Sequence, residues 1–423
     1  MKGFKNNNGV EVVRFQVGND PEILGFCCAN LRQQLFEHQY PLTEGMSFDS
    51  YLIADEKVAV LDTVDHDVAE VWEEALGATL REMDRKPDYL IVQHLEPDHS
   101  SAIGAFVAKY PDCKVVCSAV AAKMLGQFAD NIAADRVMAV TEGATLDLGS
   151  RQLQFFMAPM VHWPEVMVTY DPKSLTLFSA DAFGTFGTSL ALQIARGEAD
   201  YSILYKEWRE EGRRYYANIC GKYGNQVMNL LKKAAKLEIR QLCPLHGPVI
   251  DLAEFNPVPL YEAWGQYRPD TDRVTVFAAT LHGNTLAAAR QFVGLLQAKG
   301  VDARLFDLAG ADLSEAVSQA FASRGVAFFS PTYDAGLMPS VASLFARLRS
   351  KGYRNRPVAL VENGSWAPMA GKLMRAEVEA MPGMTVAEPV VTIRTRMTGA
   401  NAASLDELAD NFAAMLPDAQ PVE

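Results

Sequence analysis

No stretch of this chain is apolar over the roughly 18 to 20 residues that a membrane helix needs, and its first eight residues lack the apolar core of a signal peptide. The expected location is therefore cytoplasmic, with no membrane partner. Positive charge is also in short supply: 39 Lys and Arg stand against 52 Asp and Glu, a formal net charge of -13. A phosphate-binding face needs an excess of cations, so nucleic acid is not an expected partner. Only six cysteines (Cys27, Cys28, Cys113, Cys117, Cys220 and Cys243) are spread over 423 residues, too few for a disulfide-stapled secreted scaffold. Cys113 and Cys117 have no second Cys or His pair to complete a thiolate metal site and read as ordinary thiols. What remains is a long acidic chain with room for two or three domains.

Histidine is scarce as well, with seven in the chain, and that makes its placement informative. His94, His99, His162 and His246 stand where strand-like runs end, whereas His38 and His66 lie in polar surroundings. The run Tyr89-Leu90-Ile91-Val92 leads into Gln93-His94-Leu95-Glu96-Pro97-Asp98-His99-Ser100-Ser101, which crowds four possible metal ligands into six residues. That segment is expected to be a loop at the carboxyl end of a strand, where sites in layered α/β folds sit. Three further runs end in the same way, the first before His162, the second before Asp181 and the third before His246. A single His or Asp at a loop start is more often a cap or turn residue than a ligand. Taken jointly, the set points to a multi-metal pocket on one rim of a sheet, with Asp181 able to bridge two cations.

Around these residues, strands are expected at 11–15, 50–53, 58–61, 114–117, 153–157, 166–170 and 175–179. A helix is expected over 67–83, because Val68, Val71, Trp72, Leu76 and Leu80 share one face. The Pro-punctuated stretches Asn256-Pro257-Val258-Pro259 and Tyr267-Arg268-Pro269-Asp270 mark a domain boundary. Beyond it, strand-like runs at 274–278, 303–308, 326–330, 358–362 and 390–393 alternate with helical patterns, predicting a five-stranded parallel sheet wound on both faces. A closing helix is expected over 405–416.

The loop after the first of these strands, Thr280-Leu281-His282-Gly283-Asn284-Thr285, makes a plain helix cap. It can equally offer backbone N–H groups to a phosphate, and its place at the expected switch point favours that reading. The loops 330–336 and 362–368 each carry an aromatic ring among small polar residues able to flank an isoalloxazine. The flanking Gly, Ser and Pro place Trp366 in a loop, although aromatics are usually core.

The order His94, Glu96, Asp98, His99, His162, Asp181, His246 resembles the metallo-β-lactamase fold, with Glu96 in place of the second His of its loop motif. His-x-Glu-x-Asp-His in that position is similar to the flavodiiron proteins (A-type flavoproteins), and a carboxylate there suits iron over zinc. The resemblance implies a metallo-β-lactamase-like αββα sandwich over residues 1–265 and a flavodoxin-like domain over 272–418. It implies one iron on His94, Glu96 and His162, another on Asp98 and His246, and Asp181 between them. His99 stands in the motif, and family members differ in whether it reaches the metal. FMN would be held by Thr280, Leu281, His282, Gly283, Asn284 and Thr285 at its phosphate, then by Pro331, Thr332, Tyr333, Asp334, Gly336, Asn363, Gly364, Ser365 and Trp366. His282 replaces an aromatic common in that loop.

Phe183-Gly184, Asp200-Tyr201 and residues 215–219 also resemble family segments, though core aromatics and helix faces are the plainer reading. The implied activity is reduction of O2 to water, of NO to nitrous oxide, or both. Electrons would come from an external donor such as a rubredoxin or a reduced deazaflavin, through FMN, within a head-to-tail homodimer. No Cys-x-x-Cys pair follows the last helix, so an appended rubredoxin module is not expected. The alternatives are a zinc hydrolase fused to a flavodoxin-like domain, which Glu96 and the flavin loops disfavour, and a carrier or redox sensor that uses only its flavin.

Overall fold

Strand Tyr89–Val92 runs parallel to Val58–Leu61 on one side and to Lys114–Ser118 on the other, so it is buried from both edges. The computed structural model, which describes residues 2–418 and residue 422, places it inside an eight-stranded sheet. Met1, where the first domain is expected to begin, lies outside the described residues. The sheet order is Lys2–Lys5, Val10–Gln16, Ile23–Asn30, Met46–Ala54, Val58–Leu61, Tyr89–Val92, Lys114–Ser118 and Val137–Val140. A second sheet runs Thr145–Asp147, Gln152–Met157, Met167–Asp171, Thr176–Phe178, Gln241–Cys243 and Ile250–Asp251. Backbone hydrogen bonds tie the two together near the ligand-rich turn, from Met167 N–H to Gln93 O (3.1 Å) and from Asp49 N–H to Leu245 O (2.7 Å).

Helix His66–Glu82 is capped by the Asp65 carboxylate and buries Val68, Val71, Trp72, Leu76 and Leu80, the face that the periodicity predicts. It packs on strands Val10–Gln16 and Ile23–Asn30. Strand Ile23–Asn30 escapes the sequence pattern for a physical reason. It pairs on both edges and is buried almost throughout, so Gly25, Cys27 and Cys28 show none of the alternation of a half-exposed strand. The segment expected to be one loop is also more ordered. Pro97–Ser100 forms a helical turn with Pro97 at its first position, where a missing N–H costs nothing, so Asp98 and His99 project from a helix rather than a loop.

The chain divides into two units, residues 1–216 with 225–258 and residues 217–224 with 259–423. The division falls between Val258 and Pro259, in the first Pro-punctuated stretch, so helix Val258–Gly265 goes almost wholly with the second unit. Gly224 and Gly265 explain the grouping: a Cβ on Gly224 would stand 2.4 Å from Gly265 O.

In the second unit the parallel order is Ala303–Asp307, Val274–Ala278, Gly325–Tyr333, Pro357–Asn363 and Thr385–Val386. Val391–Ile393 also pairs with Pro357–Asn363, so two short strands share the place expected for one. A further short strand, Gly336–Leu337, folds back antiparallel on Thr332 and Tyr333. Alternate residues feed two cores: Phe277, Phe328, Leu344 and Phe345 on one face, Val276, Phe292, Phe329, Leu408 and Phe412 on the other. The strand order reverses beside Val274–Ala278, which opens a crevice at the carboxyl ends of the strands.

All six cysteines are buried and free. Burial pushes the Cys113 and Cys117 thiols up to about 12. No described helix is long and apolar enough to cross a membrane.

Phe328 is fully buried between the rings of Phe277 (5.5 Å) and Phe345 (4.5 Å). Phe328→Ala is expected to destabilise the second unit by about 3–5 kcal/mol, read as a fall in denaturant midpoint; a change below about 1 kcal/mol would show that this face can collapse around the cavity.

Candidate metal centre and cofactor pocket

Five segments of the first unit deliver side chains to one place. His94 and Glu96 come from the turn after Tyr89–Val92, and Asp98 and His99 from the helical turn that follows. His162, Asp181 and His246 come from the loops after Gln152–Met157, Thr176–Phe178 and Gln241–Cys243. They form two groups of possible metal-binding atoms, His94, Glu96, His162 and Asp181 in one and Asp98, His99 and His246 in the other, the atoms of each lying within 4.8 Å of one another. Asp181 is oriented toward both. Its Oδ2 is 3.2 Å from His162 Nε2 and 3.8 Å from His94 Nε2, while its Oδ1 is 3.1 Å from His99 Nε2. Within the groups, Glu96 Oε2 is 2.9 Å from His162 Nε2, and Asp98 Oδ2 is 3.2 Å from His246 Nε2 and 3.5 Å from His99 Nε2. His99, left open by the sequence, therefore stands with the second group.

These residues fit a pair of cations. His94 Nε2, Glu96 Oε2, both Asp98 oxygens, both His99 nitrogens, Asp181 Oδ1 and His246 Nε2 are buried without a hydrogen bond. Carboxylate and imidazole lone pairs that converge on one buried space are costly unless protons on the rings or cations take them. A third group, Asp65, His66 and Asp67, sits at the start of helix His66–Glu82, where Asp65 serves as the cap.

A supporting layer, invisible to the sequence pattern, orients the set. Asp62, fully buried, accepts from Gln93 N–H (2.7 Å) and Gln93 Nε2 (2.9 Å) and so fixes the backbone leading to His94. Burial pushes its carboxyl up to about 6 even though Gln93 and the His99 charge pull it down. Glu165 Oε1 lies 2.8 Å from His94 Nδ1, Ser47 O lies 2.7 Å from His246 Nδ1, and Tyr215 O–H donates to Asp181 Oδ2 at 3.0 Å. Tyr215 lies in a segment with a family likeness, whereas the only sequence sign of Glu165 is its place three residues after His162. Gly247, at φ +85°, donates its N–H to Ser47 Oγ (2.8 Å); a Cβ there would meet Thr185 Oγ1 at 2.3 Å. The rings of Phe36, Phe48 and Tyr215 surround His246 at centroid distances of 5.4, 5.5 and 5.6 Å. A cavity of about 690 Å3, lined by Leu35, Phe36, Phe48, Asp65, Glu96 and Asp98 among others, leads to the two groups.

Without metal, the site is a nest of ion pairs. Burial pushes Glu96 up, but the His162 and His94 imidazoles outweigh it and bring it to about 2. Burial pulls His162 and His246 down, and the carboxylates around them reverse this to about 9: Asp181 and Glu96 for His162, Asp98 and Asp181 for His246. Asp181 is held well below the carboxylate range by His99, His94 and His162 despite complete burial.

In the second unit a pocket of about 390 Å3 sits at the strand-order reversal. It is lined by Thr280, Leu281, His282, Asn284, Thr285, Pro331, Thr332, Tyr333, Asp334, Asn363, Gly364, Ser365 and Trp366, and also by Ala335, Ala367 and Thr395. Gly283 and Gly336 do not line it. Gly283, at φ +88°, opens helix Asn284–Ala298, and Gly336 pairs with Tyr333. Thr395 was not foreseen, since it comes from the loop after Val391–Ile393 and is placed by its bonds to Asn363: its N–H donates to Asn363 Oδ1 and its O accepts from Asn363 Nδ2, both at 3.0 Å. Helix Asn284–Ala298 begins with no side-chain cap, which leaves N–H groups for an anion, and the Trp366 ring is 89% exposed on the rim. Both features fit a phosphate-bearing planar ligand.

Comparison with known proteins agrees with both units. The family model described as "ODP family beta lactamase" matches residues 46–247. The chain is 29% identical over 379 residues to a nitric oxide reductase of Moorella thermoacetica, covering 88% of this chain and 92% of that protein. It is 30% identical over 336 residues to the anaerobic nitric oxide reductase flavorubredoxin of Salmonella arizonae, covering 78% of this chain and 68% of that one. The crystal structure of the flavodiiron protein from Giardia intestinalis matches over 98% of each chain with a TM-score of 0.83 at 25% identity.

The ion pairs set a pH dependence. His162 and His246, raised from 6.5 to about 9, contribute stability below pH 6.5 that is lost as the pH rises to about 9. Glu96, lowered from 4.5 to about 2, contributes stability above pH 4.5 that is lost as the pH falls toward 2. Chelator-treated protein is therefore expected to show its highest Tm between these limits and a falling Tm from pH 6.5 to 9. Metal-loaded protein should lack that alkaline fall, because the imidazole lone pairs then face a cation rather than a proton. A flat Tm from pH 6.5 to 9 without metal would contradict the pairing.

Proposed function

Since the chain belongs to the flavodiiron protein family and is an oxidoreductase, we propose that it reduces nitric oxide to nitrous oxide, dioxygen to water, or both. Electrons pass from an external donor through FMN to two irons. The observation that carries this reading is Asp181, fully buried, with one oxygen turned to each group of ligand atoms. In this reading His94, Glu96 and His162 hold one iron, Asp98, His99 and His246 hold the other, and Asp181 spans them. Three carboxylates in the set favour iron over zinc, which weighs against a hydrolase. When bound, the two irons would supply the two electrons that convert two NO to nitrous oxide and water, or, with two more relayed by FMN, the four that convert one O2 to two waters.

The chain's own residues set the conditions. Tyr215 O–H holds Asp181 Oδ2 in the bridging orientation. Phe36 and Phe48 wall the second group with apolar rings, and the cavity beside them admits a diatomic gas to Glu96 and Asp98. Asp65 and His66 line the same cavity.

Thr280, Leu281, His282, Asn284 and Thr285, at the start of helix Asn284–Ala298, would hold the FMN phosphate in the second unit's pocket. The two cofactors belong to different units, and a head-to-tail homodimer would place the FMN of one chain against the irons of its partner. Exposed Leu281, Tyr333 and Trp366 around the pocket are apolar surface that such an interface would cover. The donor is an external electron carrier such as a rubredoxin or a reduced deazaflavin, and the location is cytoplasmic.

Reduced protein mixed anaerobically with NO, and separately with O2, is expected to reoxidise rapidly with at least one, giving nitrous oxide or water. Asp181→Asn is expected to slow that reoxidation by about 100-fold or more, with FMN content unchanged. Slow reoxidation of the wild type by both gases would overturn the proposal and leave an electron carrier.

A further inference from the structure

The two groups of ligand atoms are backed differently. Behind His94 stands Glu165, 1% exposed, whose Oε1 lies 2.8 Å from His94 Nδ1 and 2.9 Å from Leu95 N. Its main chain is fixed too, since Ser118 Oγ–H donates to Glu165 O at 2.7 Å and Ser118 caps helix Ala119–Met124. Leu95 N–H is also 3.1 Å from His94 Nδ1, but the carboxylate is the nearer and the charged acceptor, so Nδ1 keeps its proton. The lone pair of His94 is thereby assigned to Nε2, the atom that faces Glu96 (3.3 Å) and Asp181 (3.8 Å).

On the other side, His246 Nδ1 is backed only by the neutral carbonyl of Ser47 at 2.7 Å, and His99 Nδ1 makes no hydrogen bond. An imidazole that donates to a carboxylate is a stronger metal ligand than one that donates to a carbonyl or to nothing. Buried Asp62 and Asp49 stand near His99 and His246 of the second group, but neither is hydrogen-bonded to those rings. Glu165 instead sets its carboxylate directly on the His94 ring, where Coulomb attraction to a dication is strong. Its second oxygen, Oε2, is buried without a hydrogen bond, so the fold maintains this charge at a cost that a cation beyond His94 would offset.

We infer that the two metal positions are unequal: Glu165 is a positioning residue that makes the His94–Glu96–His162 position the tighter, so it fills first and empties last. This rests on the dimetal reading above and adds an order to it.

The test is a calorimetric titration of chelator-treated, FMN-bearing protein with Fe(II), and in parallel with Co(II), under anaerobic conditions. The wild type is expected to bind in two resolved steps. Glu165→Gln, which keeps shape and removes charge, is expected to weaken the tight step by about 10- to 100-fold and leave the weak step in place. His99→Ala is expected to weaken only the weak step, and decides the matter by itself should Glu165→Gln fail to fold by circular dichroism. Two equal steps in the wild type, a tight step untouched by Glu165→Gln, or a tight step weakened by His99→Ala would overturn the inference. Binding of two metals with equal affinity defeats this inference alone, whereas no metal binding at all defeats the dimetal reading as well.

Discussion

Glu96, Asp98 and Asp181 occupy one buried pocket, and the repulsion among their charges is the constraint that the first unit is built to contain. Two like charges about 4 Å apart repel by about 4 kcal/mol at an effective dielectric of 20. Four imidazoles stand among them, and despite burial their carboxylate neighbours raise His94, His162 and His246. Cations neutralise the carboxylates without requiring the rings to carry protons. The surrounding layer follows from this. Asp62, Ser47, Glu165 and Tyr215 hold the backbone and ring orientations so that lone pairs converge, and aromatic rings close the space around His246.

Much of this was readable from residue order, because the first ligands are packed into one short segment and the later ones each end a strand. The part that was not readable depends on distance in sequence or on local helical geometry. Glu165 acts on His94 across 71 residues and Asp62 on Gln93 across 31, and neither spacing carries a pattern. A loop over residues 97–100 leaves His99 unplaced; the helical turn begun by Pro97 puts it with Asp98 and His246. Strand Ile23–Asn30 was missed since full burial erases alternation. In the second unit the loops around the pocket were legible from their place after each strand, but Thr395, held at φ +68° by Asn363, was not.

The two units divide one chemical problem. A doubly wound sheet offers a helix N-terminus and half-exposed rings, which suit a ligand that takes electrons one at a time. A strand-end pocket offers a bridged pair of hard cation positions, which suit reactions that consume electrons in pairs. Substituting the second imidazole of a zinc-type loop with Glu96 is the smallest change on which that difference depends, since it shifts the ligand field from nitrogen toward oxygen.

Elemental analysis of the chain, purified from cells supplied with both iron and zinc, tests this most directly, with Glu96→His alongside. The account predicts two irons and little zinc per wild-type chain, and a shift toward zinc in the variant. Two zincs in the wild type, or unchanged iron loading in Glu96→His, would contradict it.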